Sequence, residues 1–250
     1  MFLRISKRML CVLLSLCVCV VLASDAPIQT PAAHPLAAKA VLAVHKGISL
    51  DVEVLAQYPQ LPNGCEATSL AAVLRFLGFD VEALDLVYGY IPSEPITYSE
   101  DGFIAYGPDP AEAYAGWPEE GYTGFYCFAP PIVQAANSYL SERQSLWQAV
   151  DASGADEEEL LEWLDTGVPV IVWATLNMDV RLFSNFQWTL PNGEVYYPYS
   201  NLHCMVLTGY DDESFTIMDP IEGLVTVDRE RFMSRYWSIG EWAVAFAKKA

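Results

Sequence analysis

Residues 57–78 read QYPQLPNGCEATSLAAVLRFLG, and the break between Gly64 and Cys65 decides how the rest of the chain is read. Before the break, Pro59, Pro62 and the Asn63–Gly64 pair forbid regular structure and predict a tight approach loop. After it, Ala67, Leu70, Ala71, Leu74 and Leu77 recur at helical spacing, and Gly78 stands where a C-terminal cap belongs. This helix buries a wide face, and Cys65 opens it.

Working downstream, a shorter helix is expected from Val81 to about Tyr88, with Asp80 as its N-cap. Ile91–Pro131 is too long for a plain connector and carries Tyr98, Phe103, Tyr106, Tyr114, Trp117, Tyr122, Phe125, Tyr126 and Phe128. It reads as an ordered aromatic excursion, most of its rings packed in the core and some lining a cleft. Helices follow over Ile132–Ser141 and Asp156–Leu164, the second with Asp156 and Glu159 as a capping pair and Gly167 as its stop.

From Val168 the period changes to that of strands. VPVIVWA (168–174) is a continuous apolar strand, and Phe186–Leu190 and Glu194–Tyr197 flank a Pro-Asn-Gly turn. HCMVLTGY (203–210) turns at Asp211–Glu213 into Ser214–Met218. Leu224–Val227, a helix after Asp228 and a strand near Trp242–Ala247 complete the chain. Upstream, Leu50–Val54 alternates as a short strand. Helices first and antiparallel strands afterwards predict an α+β body, a helical layer on a mostly antiparallel sheet.

Residues 1–23 read as a secretory signal: Arg4, Lys7 and Arg8 precede an uncharged run, and Val21-Leu22-Ala23 offers a cleavage site. The expectation is a secreted or extracytoplasmic protein, or one tethered by an uncleaved anchor. Residues 24–49 form an Ala/Pro-rich linker and 50–250 one folded domain. Beyond the signal only Cys65, Cys127 and Cys204 remain, too few for a disulfide framework. One Cys127–Cys204 bridge is open, and at least one thiol is left over. The 13 Lys and Arg against 32 Asp and Glu give a formal charge of −19, which disfavours nucleic acid and anionic lipid as partners. No cofactor is implied. A metal is not expected either, since His203 and Cys204 are strand neighbours and cannot face one ion.

Of the three histidines, His34 and His45 lie in the linker, so acid–base work falls to His203 by elimination. Cys65 sits in the first turn of a helix, where unpaired N–H groups favour a thiolate, and a neighbouring imidazole would add to that. Asp219, ending the strand that returns beside His203, suits the carboxylate that fixes an imidazole's orientation. Gln57 and Gln60 both lie upstream as donors for an oxyanion. Glu66 reads as a first-turn helix acid, with a supporting contact to the site as the alternative.

Glutamine, cysteine opening a helix, histidine on a strand and a carboxylate after the return strand is the order of papain-like cysteine peptidases. The strings QYPQLPNGCEATSL (57–70), VPVIVWAT (168–175) and HCMVLTGYDDESFTIMDP (203–220) resemble the stand-alone exported relatives of the bacteriocin-leader-processing peptidases, the cysteine peptidase family 39-like group. The resemblance covers roughly Leu50–Phe246. It implies a papain-like fold with Cys65 as nucleophile, His203 as general base and acid, Asp219 as orienting carboxylate and a glutamine as oxyanion donor. The family's glutamine usually lies six positions before the cysteine; Gln57 lies eight before and Gln60 five, and Gln57 is favoured. The exporter-linked members carry membrane and ATPase domains that are absent from this sequence, so their leader substrate does not transfer. The expected partner is a peptide or protein substrate whose peptide, isopeptide or amide bond is cut through a thioester. Cell-wall amide cleavage or transamidation on the same residues, and a catalytically idle peptide-binding module, remain the alternatives.

Overall fold

The structure, a computed structural model, describes residues 47–249. The expected signal and nearly all of the expected linker lie outside those residues. The six residues of Val170–Thr175 are all buried, and this strand sits within a seven-stranded sheet. The order across it is Gly223–Asp228, Ser214–Asp219, Leu202–Tyr210, Val170–Thr175, Ala243–Lys248 and Trp147–Asp151, every pair antiparallel. Where Val170–Thr175 ends, Ile48–Ser49 takes over its side of Leu202–Tyr210, pairing with Tyr210 and Gly209. A Cβ on Gly209 would stand 2.3 Å from the Ile48 carbonyl oxygen, so the pairing requires glycine there.

A strand without polar positions must be covered on both faces. Ile171, Trp173, Cys204, Val206 and Val244 turn to a core closed by the Cys65–Phe76 and Ala129–Glu142 helices. Val170, Val172, Ala174, Met205 and Leu207 turn the other way, under Leu160, Leu161 and Leu164 of Glu157–Asp165 and Phe232, Met233 and Tyr236 of Arg229–Ser238. The expected helical layer is therefore one of two, and the α+β sheet lies between them.

Several local expectations shift. Leu50–Val54 is not a strand: Leu50 donates to Thr208 O, then Val52 N–H curls back onto Leu50 O, which lifts the chain off the sheet. The helix expected from Val81 starts at Ala83, because Glu82 and Asp85 form the capping box and Asp80 is not its cap. The edge strand Trp147–Asp151 was not anticipated; it pairs only with Ala243–Lys248, nearly a hundred residues on. The aromatic excursion is ordered into short strands. Ser93–Glu94 pairs with Tyr114–Ala115, and Thr97–Tyr98 and Ala105–Tyr106 join Trp188–Thr189 and Val195–Tyr196 in a second sheet. Its rings divide against expectation. Tyr114, Tyr126 and Phe128 are buried, but Tyr98, Phe103, Tyr106, Trp117 and Tyr122 are exposed.

Candidate active site

The approach loop delivers Cys65 to a fixed point. A Cβ on Gly64 would stand 2.4 Å from Leu61 Cβ, so only glycine lets the loop fold this tightly before the helix. The Cys65 helix is buried from Cys65 through Leu74. It is stitched to the histidine strand through both backbone groups of Cys204, whose N–H donates to Cys65 Sγ at 3.4 Å and whose C=O accepts from Ser69 Oγ at 3.3 Å. The Cys65 helix and the residue after His203 thus share a short hydrogen-bonded seam.

His203 and Asp219 are both buried, and His203 Nε2 lies 2.8 Å from Asp219 Oδ1. That leaves Nδ1 as the ring nitrogen free for proton transfer. The same Oδ1 accepts the N–H groups of Ile221 and Glu222 at 2.7 and 3.2 Å, so the turn after the strand holds the carboxylate still. Burial works against the Asp219 charge, but the hydrogen bond and charge of His203 and those two N–H groups hold its carboxyl below the usual range.

Cys65, His203 and Gln57 line one cavity of about 260 Å³, together with Asn63, Tyr126 and Tyr199. Gln57 is buried, its backbone N–H bonded to Pro220 O and its Nε2 to Pro62 O at 2.8 Å. One Nε2 hydrogen fixes the amide and the second is left for a bound oxygen. Gln60 is exposed and does not line the cavity. Of the two candidate glutamines, Gln57 is the one that is buried and lines the cavity. Among the described residues no three His, Cys, Asp or Glu side chains are grouped to hold a metal ion.

Cys127 and Cys204 are buried free thiols, so the bridge left open between them is not formed. The thiol of Cys65 departs from the sequence expectation. Burial, and then the charge of Glu66, push it well up, and the Cys204 N–H only partly offsets them. Glu66 itself is only 1 % exposed. Its Oε2 lies 3.3 Å from Cys65 Sγ, and its Oε1 accepts Cys127 N–H at 3.1 Å. The first-turn acid is thus a buried neighbour of the sulfur, which is the alternative reading of that residue. The signal was present in the sequence: Glu66 is the only charged residue in a run from Cys65 to Leu74.

Burial pushes the Glu66 carboxyl from 4.5 up to about 7, against the backbone N–H groups that favour its charge. Between those values folded Glu66 keeps a proton that the unfolded chain has lost, so stability falls as pH rises through that window. The total is about 3 kcal/mol at roughly 1.4 kcal/mol per pH unit. Asp219 acts oppositely and elsewhere: its contribution is present above the ordinary carboxylate range and is lost as pH falls below it. Urea denaturation between pH 4.5 and 8 should show the falling slope in the wild type and its disappearance in Glu66→Gln. Equal slopes in the two proteins would refute it.

Comparison with known proteins places the chain in a family. The chain is 33 % identical over 203 residues to the uncharacterized protein YvpB of Bacillus subtilis, covering 76 % of this chain and 71 % of that one. It superposes on the crystal structure of a C39-like peptidase candidate from Bacillus anthracis with a TM-score of 0.70 at 30 % identity, over 82 % of this chain and 99 % of that one. A double-glycine-motif protease from an AMS/PCAT transporter aligns at a TM-score of 0.44 and 18 % identity, over 80 % of this chain and 94 % of that one, and nothing further is drawn from it. The family model matches residues 49–244, nearly all of the described fold with the cavity and its side chains inside it, and by that match the chain belongs to the Peptidase C39 like family.

Proposed function

We propose that the chain is an exported thiol hydrolase that cuts a peptide or amide bond with Cys65, His203, Asp219 and Gln57. The observation that carries this reading is the single cavity walled by Cys65, His203 and Gln57, with His203 braced from behind by Asp219 at 2.8 Å. His203 takes the thiol proton, and the Cys65 sulfur attacks the scissile carbonyl. The second Nε2 hydrogen of Gln57 and the Cys65 backbone N–H receive the oxyanion. His203 then gives its proton to the leaving amine, which departs and leaves a thioester on Cys65. Water, deprotonated by His203, attacks the thioester and releases the carboxylic acid and the thiol.

The cavity shares Phe125 and Ser184 with a recess of about 480 Å³ lined by Tyr98, Trp117, Tyr122 and Phe186. A substrate reaching both is an extended chain, which supports a peptide over a small amide. The reading as an idle peptide-binding module also has an observation in its favour, the upward push on the Cys65 thiol. A peptidyl vinyl sulfone separates the two. The hydrolase should gain one adduct, on Cys65, by intact mass and peptide mapping, and His203→Ala should gain none in the same time. No adduct on Cys65 across a panel of peptide sequences, together with no cleavage of an internally quenched peptide library, would leave only the binding module. Within the hydrolase reading, Gln57→Ala should lower kcat by about 10²–10³, with little change in KM.

A further inference from the structure

Glu66 takes no part in the steps above, yet it touches the sulfur that begins them. Its Oε2 is 3.3 Å from Cys65 Sγ, and its other oxygen is held by Cys127 N–H. The titratable groups that sense its charge come from several elements. They are Cys65 on its own helix, Cys204 on the histidine strand, and Cys127 and Tyr114 from the aromatic excursion. Glu119 stands beyond Tyr114, and Asp219 beyond Cys65. His203 lines the same cavity as Cys65 and is engaged by Asp219.

A carboxylate and a thiolate at that separation, both removed from water, repel each other strongly. The thiolate therefore forms with Glu66 neutral, and a neutral carboxyl has an O–H to donate to it. We propose that Glu66 is a positioning residue that sets the pH window of the Cys65 nucleophile: as an acid it donates to and steadies the thiolate, and as a carboxylate it keeps the proton on sulfur. In the first state the thiol proton leaves through His203 to solvent and Glu66 retains its own. In the second the Glu66 proton has gone to solvent, and the S–H of Cys65 donates to Oε2. The inference rests on Cys65 as the nucleophile, but its readout does not require hydrolysis.

The test is the rate of Cys65 alkylation by iodoacetamide from pH 5 to 9, followed by peptide mass spectrometry in the full-length protein. In the wild type the logarithm of the rate should climb with unit slope to about pH 7 and then flatten, because further loss of protons comes from Glu66. In Glu66→Gln, whose amide can still accept Cys127 N–H, it should keep climbing and exceed the wild type by about tenfold at pH 8. A structural role alone would leave the two curves parallel, and that result overturns the proposal. Should the variant fail to fold, the wild-type curve decides: one unbroken thiol titration through pH 7 overturns the assignment, and a break near neutrality supports it. A break with no peptide hydrolysis would retire the hydrolase and leave Glu66 as assigned.

Discussion

Cys65→Ala is expected to abolish cleavage of any peptide the wild type cuts, by about 10⁴-fold or more. His203 and Gln57 keep their places in the variant, but the thioester cannot form. What remains is the slow attack of water on a bound, polarised carbonyl. The fold should survive, since alanine fits the volume left by cysteine and the helix loses no cap. Its melting temperature should stay within a few degrees of the wild type, so that lost activity is not read as lost structure. Cys65→Ser adds a second arm: the serine hydroxyl keeps the contact with Glu66 but is a far poorer nucleophile under the same base. Retention of the wild-type rate by either variant, on a substrate cleaved at a defined bond, would remove Cys65 from the reaction.

The largest effect on stability is expected from Trp173→Ala, a loss of about 3–5 kcal/mol. Trp173 is fully buried on the central strand and faces the core under the Cys65–Phe76 helix. Its Nε1 donates to Cys127 O at 2.9 Å. Truncation opens a ring-sized cavity and leaves that buried carbonyl without its donor, a further cost of about 1–3 kcal/mol. Trp173→Phe separates the two effects, keeping most of the packing and losing the hydrogen bond. Urea denaturation measures both. Trp237, half exposed on the last helix, is the control, and Trp237→Ala should fall within about 0.5 kcal/mol of wild type. A Trp173→Ala loss under about 1 kcal/mol would mean that the core is not built around this ring.

How much of this could be read beforehand depended on whether the cause was local. The Cys65 helix was legible because its apolar spacing and Gly78 agree, and Gly78 indeed takes a φ of +93°. The Asp156–Glu159 capping pair was legible for the same reason, and both of its hydrogen bonds are present. The order of Cys65, His203 and Asp219 pointed to one site because a hairpin brings residue 219 back beside 203. Choosing between Gln57 and Gln60 needed burial, which spacing does not supply. Trp147–Asp151 could not be seen, because an edge strand whose partner lies nearly a hundred residues away leaves no local period. For Glu66 the favoured reading was the less informative one. An acid in a first helical turn usually answers the helix dipole in water, and only the arrival of Cys127 shows that this one does not meet water at all.

Cys127 is gripped on both sides of its backbone, its N–H by Glu66 and its carbonyl by Trp173. One consequence concerns how this family can vary. Phe125 and Tyr126, just before that double clamp, belong to the cavity wall and cannot drift from the Cys65–Phe76 helix and central strand that hold it. The tip at residues 99–104, exposed except at the half-buried Ser99 and bonded mainly within itself, has no such anchor. Insertions and deletions should accumulate at the tip while the length of 125–128 stays fixed. The edge of the recess at Tyr98, next to that tip, can then vary without disturbing the cavity that holds Cys65 and His203.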